Sequence, residues 1–174
     1  MTWLTEAIET VDREPAKIGR LFPAAGRHTG SAHADEARVE MLKALPLRGD
    51  ALTVEVRALY RYGDAAEKRA VLLALPHLDV GASCVDLLRD ALRTNDTRLV
   101  AAALGPYATH LDAEAWRQGV LKCVFMGVPL ENVHDLDRRA DAELGAMLAD
   151  LHAERSAAGR VLADDALALL GRTT

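Results

Sequence analysis

Residues 63–78, "GDAAEKRAVLLALPHL", and residues 95–111, "NDTRLVAAALGPYATHL", read as two copies of one plan. Each opens on a turn residue and an aspartate, takes a basic residue, runs through Ala and Leu, and meets a proline near its end. An aspartate at a helix start accepts from amides that have no intrahelical partner. Ala and Leu are among the best helix formers, and proline cannot continue the run. After the copies come the return segments "GASCVDLLRDALR" (81–93) and "DAEAWRQGVLKCVFMGV" (112–128). The offset of about 30 residues falls in the window of stacked helical hairpins. A hairpin with one apolar face buries that face against the next hairpin. Ala101–Ala103 should let helices approach closely, and Gly105–Pro106 is expected to bend its helix.

Working outward, "TWLTEAIETVD" sets Leu4, Ala7, Ile8 and Val11 at helical spacing. Pro15 suits the first turn of "PAKIGRLFPAAGR", which Pro23 should kink or divide. "HTGSAHA" (28–34) is the clearest loop, and Asp35 and Asp50 are expected to cap the helices that follow, the second ending at Gly63. Residues 136–159, "LDRRADAELGAMLADLHAERSAAG", read as one long helix starting near Asp137 or Asp141, with Leu144, Leu148 and Leu151 as its buried stripe. A short helix, "ADDALALLG", would cover the end of the stack. Strand-forming residues are thin, with aromatics at only 4%. The expected fold is all-α: stacked antiparallel helical hairpins in a HEAT/armadillo-like α-solenoid. It forms a single domain over 1–174, with the hairpins clearest over about 60–135.

Composition narrows the functions. A net charge of −5 argues against nucleic acid as partner, because phosphate binding needs a basic surface. No apolar run approaches the ~20 residues of a membrane span, and the acidic N-terminal stretch lacks the pattern of a signal peptide. Cys84 and Cys123 sit within helical patterns and read as small buried hydrophobes. A cytoplasmic location fits these features.

"LYRYGDAAEKRAVLLALPHL" (59–78), "DALRTNDTRLVAAALGPYATHLDAEAWRQGVLKCVFMGVPL" (90–130) and "LDRRADAELGAMLADL" (136–151) resemble the EboA family. "KIGRLFPAAGRHTG" (17–30) is similar to that family's N-terminal segment. The resemblance implies a part in moving a biosynthetic metabolite or its precursor out of the bacterial cytoplasm, within secondary metabolism. It brings no catalytic residues with it.

Two groups of residues invite a functional reading. Arg93, Asn95 and Arg98 crowd a helix start that Asn95 or Asp96 would cap. They read either as a turn clamp, with Arg98 held by Asp64, Asp90 or Asp96, or as an anion site at a helix N-terminus. Tyr107, His110, Trp116 and Lys122 read either as core and surface residues or as one end of a pocket for an aromatic ligand with an acidic group. His28, His33 and Asp35 lack metal-ligand spacing, the row Lys17, Arg20 and Arg27 reads as a solvated face, and no metal or cofactor is expected. No nucleophile elbow, phosphate loop or dinucleotide fingerprint is present, so the chain reads as non-catalytic rather than as an enzyme. The preferred function is binding a small aromatic or prenylated metabolite. The alternatives are an adaptor docking a co-encoded pathway protein and an enzyme with an unrecognised site. Ala-rich helix faces would support a homodimer as readily as an internal core.

Overall fold

A computed structural model of the chain describes residues 2–173. Among them the secondary structure is eleven α-helices joined by turns and short 3-10 segments, with no strand. No helix among these residues is long and apolar enough to cross a membrane. The residues gather into two compact units, one ending at Leu88 and one beginning at Arg89.

The first unit contains α1 (Trp3–Arg13), α2 (Ile18–Thr29), α3 (Ala34–Lys43), α4 (Gly49–Tyr62), α5 (Ala65–Ala74) and the start of α6 (Val85–Arg93). Val11, Ile18, Phe22, Ala25, Met41, Val56, Ala70 and Val71 are fully enclosed and form its core. Pro23 lies inside α2 without dividing it. Ile18, Phe22, Ala24 and Ala25 anchor the helix on both sides of the proline, and that burial outweighs the roughly 3 kcal/mol that an interior proline costs. Arg38, only 4% exposed, clamps α3 to α2: its Nε donates to the Phe22 carbonyl at 3.1 Å. The expected loop at 28–34 is shorter than it reads, because α2 runs to Thr29 and α3 starts at Ala34. Asp35 and Asp50 sit in first turns instead of at caps, and Asp35 pairs with Arg69 of α5 at 2.9 Å. Asp64 and Glu67 form a reciprocal capping box at the start of α5.

The second unit holds the rest of α6, then α7 (Thr97–Ala103), α8 (Ala113–Met126), α9 (Leu136–Arg139), α10 (Ala142–Ala157) and α11 (Asp164–Thr173). Asp96, Asp112 and Asp141 cap α7, α8 and α10 with their side chains. Gly105–Pro106 does not bend a longer helix. Instead α7 ends at Ala103 and Pro106 opens a separate 3-10 turn to His110. Proline at the first position of a turn loses no hydrogen bond. The Leu104 carbonyl left free there accepts from the His134 N–H at 2.8 Å. The long tail helix is likewise split, with α9 separated from α10 by extended residues at Ala140 and Asp141. The Asp141 carboxylate does the work of restarting the chain: it accepts from Leu144 N–H at 3.0 Å and binds Arg117 of α8 at 2.6 Å. Leu144, Leu148 and Leu151 are buried as their spacing predicts.

Candidate functional site

α8 has two working faces. Trp116, Val120, Cys123 and Val124 turn into the core of the second unit. Ala115, Gln118, Lys122 and Met126, recurring every three or four residues, face a groove together with Phe125. Arg89, Leu92 and Arg93 of α6, Asn95 just after it and Leu151 of α10 complete the lining. The cavity is about 560 Å³, within the range of small-molecule sites. Gly119 makes the close approach possible. A Cβ there would lie 2.9 Å from Leu104 Cδ2 and 3.3 Å from Leu92 Cδ1.

The lining is mostly apolar and carries no carboxylate, but it includes three cations. Arg89 donates to Asp112 at 2.6 Å and Arg93 to Asp90 at 2.8 Å. Asp112 also accepts from Ala115 N–H at 2.8 Å; that amide first, and Arg89 second, hold its carboxyl below the usual carboxylate range. One aspartate thus caps α8 and fixes Arg89 at the groove edge. Lys122 is half-buried and makes no ion pair among the described residues. Phe125 is 62% exposed, and Arg155 lies over its ring at 5.1 Å while donating to its carbonyl at 2.7 Å.

The family model described as metabolite traffic protein EboA matches residues 31–171, most of the sequence. The chain belongs to the EboA family. Comparison with curated proteins and with solved structures gives no match.

In this EboA chain the residues singled out by sequence part company. Arg93, Asn95 and Lys122 come together at the groove. Arg98, Tyr107, His110 and Trp116 are not among its lining residues. Arg98 folds back on Asp96, giving two side-chain bonds of 3.1 and 2.7 Å, and these hold the Asp96 carboxyl down to about 2. Trp116 is 1% exposed beneath the Arg139 guanidinium, 4.7 Å from its ring, and Arg139 is itself held by the carbonyls of Ala108 and Leu111. Tyr107 is buried and meets the exposed His110 ring at 4.8 Å.

Further groove residues that the sequence does not single out are Arg89, Leu92, Gln118, Leu121, Phe125, Met126 and Leu151. The i, i+4 pair Arg89–Arg93 and the row 115, 118, 122 and 126 on the side of α8 away from Trp116 were the available signal. Leu151 had none, since it arrives from a distant helix. Elsewhere, His28 stacks on Trp3 at 4.5 Å, and no group of three His, Cys, Asp or Glu among the described residues is placed to hold a metal. Burial pushes the Cys123 thiol up to about 12 and raises that of Cys84, which disfavours the thiolate in both.

Proposed function

We propose that this chain binds a small metabolite in the groove of α6, α8 and α10 and holds it for hand-over without transforming it. The groove is the observation that carries the reading: a cavity of about 560 Å³ with apolar walls and a few convergent polar groups. The family description, metabolite traffic protein, supports the same role. The lining has no His, Cys, Asp or Glu, the side chains that most often serve as general acids, bases or nucleophiles. That favours holding over reaction. Within the first unit α1 packs on α2 and α3, and α3 on α5; within the second α8 packs on α7 and α10. Contacts to the next and next-but-one helix support a HEAT-like stack of hairpins in each unit. A cytoplasmic setting is part of the proposal.

The test is native mass spectrometry of the full chain purified gently from its own host. A small molecule should be retained, and Ala115→Trp, which fills the groove, should lose it while keeping wild-type circular dichroism. A bare wild-type chain, or a molecule equally retained by Ala115→Trp, would overturn the reading.

A further inference from the structure

We infer that the groove takes an elongated apolar molecule bearing one anionic head group, a carboxylate or phosphate, seated on Lys122. This rests on the groove being the binding site. Leu92, Leu121, Met126 and Leu151 make flexible aliphatic walls beside one lining aromatic, Phe125, while Trp116 and Tyr107 lie elsewhere, so the groove suits a largely aliphatic body. The charge pattern fixes the head. The sequence carries 26 acidic residues against 21 Lys and Arg, yet this lining holds three cations and no carboxylate.

Arg89 and Arg93 already have carboxylate partners in Asp112 and Asp90. Lys122 is half-buried between apolar neighbours with no ion pair among the described residues. Among the described residues Lys122 is the lining cation without a carboxylate partner, and an incoming anion gives it a charge-assisted contact. An amine in the same place would meet the like charge of Lys122.

Isothermal titration of the full chain with octyl phosphate, 1-octanol and octylammonium chloride tests this. Octyl phosphate should bind at least about tenfold more tightly than octanol, the margin expected of one charge-assisted contact. Octylammonium should bind most weakly. Lys122→Gln should erase the margin of phosphate over octanol, and Lys122→Arg should restore much of it. Octanol and octylammonium binding as tightly as octyl phosphate, with all three lost in Ala115→Trp, would overturn the anionic head and leave the groove standing. No binding by any probe, or binding unaffected by Ala115→Trp, would overturn both. A dimer in solution that Ala115→Trp breaks would show the groove covered by a second copy of the chain, and would overturn the inference too.

Discussion

Trp116 and Lys122 lie six residues apart on one helix and were open to the same reading, yet they have opposite fates. Trp116 is enclosed beneath Arg139, while Lys122 borders the groove. Trp116→Ala should therefore cost about 3–5 kcal/mol of stability, as large core truncations do, measured by urea unfolding. A change under about 1 kcal/mol would show that the indole is not a core anchor. Asp141 offers a pH test. The Arg117 hydrogen bonds first, then the Leu144 N–H, lower its carboxyl from 3.8 to about 2. A group lowered on folding adds stability that is fully present above its ordinary value and is lost as pH falls toward the folded one. Stability should thus decline between about pH 4 and pH 2, and Asp141→Asn, which can still cap, should flatten that part of the profile. An unchanged profile in the variant would contradict the Arg117 pairing. At this scale Asp64, Asp96, Asp112 and Asp141 cap as read, acting on amides two or three residues away, whereas Asp35 and Asp50 sit inside first turns. It did not find Arg38, whose acceptor, the Phe22 carbonyl, is sixteen residues back.

Helix by helix, the sequence announced most elements but misjudged how prolines and aspartates divide them. Pro23 was tolerated because apolar residues on both sides are buried, and Pro106 ended its helix because the freed Leu104 carbonyl had the distant His134 amide to accept from. Neither outcome is written locally. The turn between α4 and α5 makes a firm prediction. A Cβ on Gly63 would meet the Leu59 carbonyl oxygen at 2.6 Å and Glu67 Cβ at 2.8 Å. Backbone cannot yield as a side-chain tip can, so Gly63→Ala should destabilise by about 1–3 kcal/mol in chemical denaturation. A neutral result would mean the turn is looser than described. For α8, Asp112→Ala removes the cap and the Arg89 partner together. It should lower the midpoint of urea unfolding and be rescued in stability by Asp112→Ser, which restores the cap without the charge. Failure of that rescue would place the cost in the ion pair.

For the whole molecule, all-α character followed from composition and periodicity, and family membership from stretches along most of the chain. The groove did not, for a physical reason. Its walls come from α6, α8 and α10, and helix spacing reveals which residues share a face but not which faces meet. The net charge of −5 is an average and does not show where Arg89, Arg93 and Lys122 gather. The central claim is that this groove holds a small molecule. Amide chemical-shift mapping of the full-length protein during titration with octyl phosphate tests it most directly. The largest shifts should fall at Leu92, Gly119, Lys122 and Leu151, which come from three helices and meet at the groove. Saturable binding that leaves those four amides unmoved would contradict it.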